Sequence, residues 1–340
     1  MKKMFALLLA VAMLFALSAC GSTPSTETPA TGKTVYNVSI AHGQTEENSI
    51  HAGALKYKEL LEATGYFNVT VYPNGQLGAD REMIESCQNG EITIVPSGSA
   101  PQVNFVPEVA IFDLMFVYPD VETARKTIND QEFFNKMAES YEKAGFHLLG
   151  WTDQGFRQLT LNKQVQTPED LKGMTIRTQE NNYHMEAWRA LGANPTPLAY
   201  NELYTALQQG TVDGQENPIE NITTAKLYEQ QKYIILTNHN LQTVPWIMNA
   251  EFYNSLPEEG QKIVDEVSVE VMEYALNAAD ASIDTCKSTI TGYGCEIIEV
   301  PEENKELFSG KMDTNWSMVK EAVGGDIYDA FFAALNAAKA

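Results

Sequence analysis

The chain has 340 residues, 44% of them hydrophobic, and a formal net charge of -22. That length is more than one hydrophobic core usually organises, and 45 acidic against 23 basic residues exclude a nucleic-acid partner, whose phosphates the protein would repel. The same charge constrains any acidic ligand: its site must be built from local positive groups, so the few arginines become informative.

Lys2 and Lys3 precede an apolar run from Met4 to Leu17 that is too short to span a bilayer, and residues 1–19 read as an export signal. The run ends in Leu17-Ser18-Ala19-Cys20, small residues before a cysteine, which is what a lipoprotein signal peptidase needs. Cys20 is therefore the expected lipidation site; an ordinary secretory peptide with an incidental cysteine is the alternative. Residues 20–34 are Ser, Thr, Pro, Gly and Ala with almost no apolar mass, a tether rather than a core. No later window has the roughly 18 apolar residues of a membrane helix, so the expected placement is outside the cytoplasmic membrane, in the periplasm or at the cell surface, held by lipid.

From residue 35 onward strand-like and helix-like segments alternate, the pattern of parallel sheets flanked by helices. Strands are predicted at 36–41, 67–72, 92–95, 146–151, 158–162, 174–177 and 211–214. Ile50, Ala54, Leu55 and Leu61 share a helix face ended by Gly65, and Met83, Ile84 and Cys87 share another ended by Gly90. Thr167-Pro168-Glu169-Asp170 starts a further helical turn. The longest element begins at Ser255-Leu256-Pro257-Glu258, which resembles a capping box, and stays helix-compatible to about Thr291. At roughly 50 Å it exceeds one small domain and reads as a strut shared by two, with a pair of helices broken near 278–281 as the alternative. Cys87, Cys286 and Cys295 lack metal-ligand or redox spacing; Cys286 and Cys295 either form a disulfide or stay reduced.

Arg177 ends a predicted strand just ahead of a helix starting near Asn181, the position in α/β sheets where ligands gather and helix N-termini favour anions. A guanidinium there grips a carboxylate bidentately, as a lysine cannot. Arg157, before the strand at 158–162, is the second candidate. Enzymatic signatures are missing: no nucleophile elbow, Walker loop, His-Glu-x-x-His helix or dinucleotide fingerprint, and the five histidines show no metal-ligand spacing. No metal or cofactor is expected, although an acid pair of the glycosidase kind, in an exported lipoprotein hydrolase, stays open as a different class of function.

The run Thr205-Ala-Leu-Gln-Gln-Gly-Thr-Val-Asp-Gly-Gln-Glu-Asn-Pro218 closely resembles the most distinctive motif of the solute receptors of tripartite ATP-independent periplasmic (TRAP) transporters, the DctP family. Tyr72-Pro-Asn-Gly-Gln-Leu-Gly78 with Asp80-Arg81, Gly155-Phe-Arg-Gln158, Leu171-Lys-Gly-Met-Thr-Ile-Arg177 and Leu191-Gly-Ala-Asn-Pro-Thr-Pro197 follow the family in order. The resemblance covers residue 35 to the C-terminus. It implies a two-lobed α/β flytrap with crossover strands and a long helix bracing both lobes, here 35–154 plus about 243–282 for the first lobe and 155–242 plus about 283–340 for the second. It also implies hinge closure on a small organic acid and delivery to separate small and large integral membrane subunits driven by an ion gradient.

By that similarity Arg177 fixes the ligand carboxylate, Asn217 bonds the same group, Arg157 stands near it and Tyr200 places a ring against the ligand. The chain departs from the sialic-acid branch, with Gly98 and Pro101 where that branch has a glutamate and an arginine. Glu180, three residues after Arg177, is a hydroxyl acceptor, and His42, Gln44 and Glu47 lie where the first strand enters its helix; Trp246 is a candidate stacking ring. A carboxylate clamp beside acceptors suits a sugar acid, a hexuronate or aldonate, better than a second carboxylate, which Glu180 would repel. A C4-dicarboxylate or another organic acid is the alternative ligand.

Overall fold

A single strand carries the chain from one sheet to the other. The computed structural model describes residues 34–340; the export signal, Cys20 and the tether lie outside the described residues except for Thr34. In the first sheet, β1 (Tyr36–Ala41) pairs in parallel with β2 (Phe67–Tyr72) on one side and β3 (Ile94–Pro96) on the other, and β3 meets β9 (Leu241–Asn249) antiparallel. The second sheet has β7 (Gly214–Pro218) beside β5 (Thr175–Thr178), with β6 (Asn194–Pro197) at the edge, all parallel. Joining them is β4 (Phe146–Leu161), whose first part pairs with β9 and whose last part pairs with β7 and with β8 (Tyr233–Leu236). Two strands were expected at 146–151 and 158–162. They are one 16-residue strand because the polar stretch between them is buried and stays in the β4–β9 ladder, which shifts register between Asp153 and Phe156. Gly155 sits in that shift at φ +72°, a conformation that favours glycine.

Helices cover the sheets. Helix α1 (Ser49–Ala63), capped by the Asn48 side chain, buries Ile50, Ala54, Tyr57 and Leu61. Leu55, expected on that face, is 47% exposed, because the 50, 54, 57, 61 spacing puts it about 100° round the helix. Helix α2 (Asp80–Gln88) buries Met83, Ile84 and Cys87 as expected. The strut is α10 (Glu258–Tyr293), 36 residues without a break and about 54 Å long. It packs on α1, on β4 and on α8 (Ile219–Thr224). The capping box does not form: Ser255 ends the preceding helix, its hydroxyl donating to the Phe252 carbonyl, and Pro257 stands at the N-cap. Residues 319–335, grouped from sequence with the second lobe, bury Val319, Val323, Ile327, Phe331 and Leu335 against Phe112 and Phe133 in the cluster that also holds Met83 and Trp151. Cys286 and Cys295 are both free thiols, and Cys295 Sγ lies 3.2 Å from the Tyr228 carbonyl. No helix among the described residues is long and apolar enough to cross a membrane.

Candidate functional site

The carboxyl end of β5 presents Arg177 between β6 and β7, opposite Gln215 in register. Its side chain is buried, with Nε and Nη2 donating to the Leu198 carbonyl at 3.0 and 2.6 Å, which fixes the guanidinium plane. Nη1 is buried and has no hydrogen-bond partner among the described residues. A donor left so is costly unless something accepts from it. Burial lowers the Arg177 pKa to about 10, so the group remains a cation at neutral pH.

Arg177 lines a cavity of about 20 Å³ together with Asp80, Pro101, Gln179, Glu180 and Tyr200. A larger recess of about 370 Å³ shares Ala79, Glu180, Leu198 and Ala199 with it and reaches Arg81 and Glu202. The Tyr200 hydroxyl and the Gln179 side-chain oxygen are likewise buried without partners among the described residues. Asp80, half-buried at the start of α2, has its pKa raised to about 6, by burial first, with Arg177 opposing and Glu180 adding to the rise. One cation thus faces two carboxyl groups across a small polar cavity.

Behind this wall lies a buried network. Arg157 on β4 donates from Nε and Nη2 to both carboxylate oxygens of Glu216, from Nη1 to the Gln242 side-chain oxygen, and from Nη2 to Asn217 Oδ1 at 3.2 Å. His239 Nε2 stands 2.9 Å from Glu216 Oε2. Burial alone would push the Glu216 carboxyl up, but Arg157 and the His239 hydrogen bond outweigh it and hold it well below the usual carboxylate range. Arg157 is therefore engaged with Glu216 and orients Asn217, rather than lining the Arg177 cavity. Asn217 is buried, and its amide also donates to the Gln215 side chain.

The remaining candidates divide. Glu180 and Tyr200 stand with Arg177. His42 is fully buried at the end of β1, with Nε2 3.2 Å from His51 Nδ1, and burial followed by the His51 charge lowers its pKa to about 3. Gln44 is half-buried with a side-chain oxygen lacking a partner among the described residues, and Glu47 is exposed on the turn before α1; none of these three lines the Arg177 cavity. Trp246 does not serve as a stacking ring there. It stacks on Tyr57 at 6.2 Å and 13° and stands against Gly53, so its place on β9 turns it into the helix-covered core.

Sequence reasoning missed Asp80, Gln179, Glu216, His239 and Gln242. Asp80 was findable: it follows β2 and opens α2, the strand-to-helix position that singled out Arg177. Glu216 and His239 gave no signal, since their role depends on β7 and the segment ahead of β9 meeting across β4. A second polar cluster was also missed, in which Glu220 of α8 reaches the start of α1: Glu220 accepts from the Ser49 amide at 2.6 Å, the Ser49 hydroxyl at 2.7 Å and Gln154 Nε2 at 2.6 Å. Among the described residues no cluster of His, Cys, Asp and Glu could hold a metal ion.

Two α/β lobes joined by the crossover strand β4 and a long helix, with a buried arginine facing a polar cavity, define a solute-binding receptor. The chain belongs to family 7 of the bacterial extracellular solute-binding proteins, the DctP family, whose profile matches residues 40–322. It is 35% identical over 234 residues to a solute-binding protein of Verminephrobacter eiseniae, covering 68% of this chain and 70% of that one. The 2,3-diketo-L-gulonate-binding periplasmic protein of Escherichia coli is 31% identical over 232 residues, 67% of this chain and 70% of that one. The C4-dicarboxylate-binding periplasmic protein of Rhodobacter capsulatus is 30% identical over 286 residues, 83% of this chain and 86% of that one. Among solved structures, a TRAP solute-binding protein of Anaerococcus prevotii with bound D-glucuronate superposes with a TM-score of 0.85 at 27% identity, covering 89% of this chain and 98% of that one. The protein is a TRAP solute-binding receptor, in a family of transport receptors rather than enzymes.

Proposed function

We propose that the protein captures a sugar acid with a single carboxylate, a hexuronate or aldonate, and hands it unchanged to the small and large membrane subunits of a TRAP transporter. The observation that carries this reading is the placement of Asp80 and Glu180 beside Arg177. One ligand carboxylate satisfies the free Nη1 of Arg177, with Asn217 and Tyr200 in support. Glu180 then accepts from ligand hydroxyls, whereas a second ligand carboxylate would meet Glu180 and the anionic form of Asp80 as like charges. The E. coli relative named for diketogulonate and the glucuronate-bound A. prevotii structure support a sugar acid; the R. capsulatus relative, named for C4-dicarboxylates, supports the other acid class.

The lobes in this reading are 35–154 plus about 243–282 and 155–242 plus about 283–318, with the rest of the C-terminal helix lying on the first. Cys20, freed by removal of residues 1–19, carries the lipid that keeps the receptor at the outer face of the membrane; Gln44 and Glu47 approach the ligand only at the cleft rim, while His42, buried against His51, does not touch it. Thermal-shift and calorimetric screening of the full chain against uronates, aldonates, C4-dicarboxylates and sialic acid tests the proposal, since a ligand of the folded state raises the melting temperature. Stabilisation by sugar acids and not by dicarboxylates is the expected result. The reverse order overturns the ligand assignment, and turnover of any of these compounds overturns the receptor reading.

A further inference from the structure

The second polar cluster joins parts of the chain that no backbone ladder joins. Asn48 and Ser49 begin α1, which hangs from β1 in the first sheet; Glu220 and Asn221 lie on α8, which follows β7 in the second. Besides the three bonds to Glu220, Asn48 Nδ2 donates to Asn221 Oδ1 at 2.9 Å, and Gln154 Nε2 lies 3.1 Å from Asn48 Oδ1 and 3.0 Å from Asn221 Oδ1. Gln154 belongs to β4 at the register shift, where the strand leaves the first sheet for the second. Asn48, Ser49, Gln154, Glu220 and Asn221 are all buried.

We infer that Glu220 is a positioning residue that fastens the closed receptor, by seating its carboxylate on the first turn of α1 when the two sheets come together. Asn48 already caps α1 through the Ile50 amide, so the Ser49 amide and hydroxyl are left to reach outward, and the helix N-terminus favours a carboxylate there. Among the described residues the partners of Glu220 are the neutral groups of Ser49 and Gln154, and it forms no salt bridge. Burying it costs desolvation, which its three donors offset, and opening returns carboxylate and donors to water. A contact that exchanges hydration for three hydrogen bonds is made and broken without exposing apolar surface, as a reversible fastening requires. By contrast, the contact of Asp113 with Asn181 and His184 is locked by the C-terminal helix, where Asn315 bonds both Met115 and Tyr183. The ligand itself does not touch Glu220 in this scheme; the residue acts by slowing reopening.

The inference rests on the receptor reading, and its test has one arm that does not. In full-length protein, nitroxides are attached through noncanonical residues at exposed positions 85 and 202, and spin–spin distances are compared for the natural sequence, Glu220→Ala and Ser49→Ala. Both variants are expected to shift the distribution of the ligand-free protein toward longer distances. An unchanged distribution in Glu220→Ala overturns the fastening whatever the ligand proves to be. In the second arm, dissociation of the tightest sugar acid is followed by stopped flow: Glu220→Ala is expected to raise the off-rate at least about tenfold with the on-rate within a factor of about three, and Glu220→Gln to fall between. A variant with lowered melting temperature but an unchanged off-rate overturns the inference. Absence of any acid binding by the natural sequence overturns the receptor's ligand assignment instead and leaves the distance arm to decide for Glu220.

Discussion

Arg157 and Glu216 face each other from antiparallel strands with side chains 1% and 0% exposed, and His239 completes the contact on the far side of the carboxylate. Removing one charge from such a pair strands the other away from water. Glu216→Gln is expected to lower unfolding free energy by about 3–5 kcal/mol in urea titrations at neutral pH. Because the folded pKa of Glu216 lies below its unfolded value near 4.5, its contribution is complete above that value and declines as pH falls below it. The gap between natural protein and variant should therefore narrow on acidification; a gap independent of pH would mean that the carboxylate is not the stabilising group.

Arg177 is held by the Leu198 carbonyl on two of its nitrogens and offers the third to the cavity. A lysine keeps the charge but cannot bond Leu198 and a carboxylate in the same plane. Arg177→Lys is expected to weaken binding of the preferred acid by about 10- to 100-fold, and Arg177→Ala by at least as much, in calorimetric titrations. Equal affinity in the lysine variant would show that charge alone suffices and that the fork geometry is not used.

Much of this architecture was legible because it is local. Strands β1 and β2 fall where alternating apolar residues put them, α1 and α2 run to the glycines expected to stop them, and the continuous pattern after Pro257 is one helix. Arg177 was placed by position alone, near the end of a strand, and lies there on β5. The failures share a cause: burial of polar residues that only distant strands can satisfy. Gln215, Glu216 and Asn217 make β7 a buried strand with no hydrophobic pattern, so it was placed too early, at 211–214. Pro245 and the polar start of β9 hid the longest partner of β4, and with it the direction in which Trp246 points.

His42 is neutral in the folded protein, since burial and then the His51 charge bring its pKa to about 3 from an ordinary 6.5. Between those values the unfolded chain binds a proton that the folded one excludes, so stability must fall as pH drops below about 6.5. The slope from this one group reaches about 1.4 kcal/mol per pH unit. Urea unfolding from pH 7.5 to 4.5 should show His42→Asn losing stability less steeply than the natural protein. Parallel curves would mean that the histidine is solvated or protonated in the native state.

Asp80 lines the cavity with its pKa raised to about 6, and it stands beside the arginine proposed to receive the ligand carboxylate. Above that pH the side chain is an anion that repels an incoming carboxylate; below it the neutral acid donates a hydrogen bond instead. A sugar acid stays ionised across this range, so its own titration does not interfere. Affinity is expected to rise as pH falls from 7.5 toward 6, by up to about tenfold per unit, and to level off below about 6. Asp80→Asn should bind with nearly the same constant at every pH, at a level near the acidic plateau of the natural protein. Should the variant keep the full pH slope, the titrating group is elsewhere; should the natural protein bind more tightly as pH rises, the anionic form of Asp80 is an acceptor for ligand hydroxyls that outweighs its repulsion of the carboxylate.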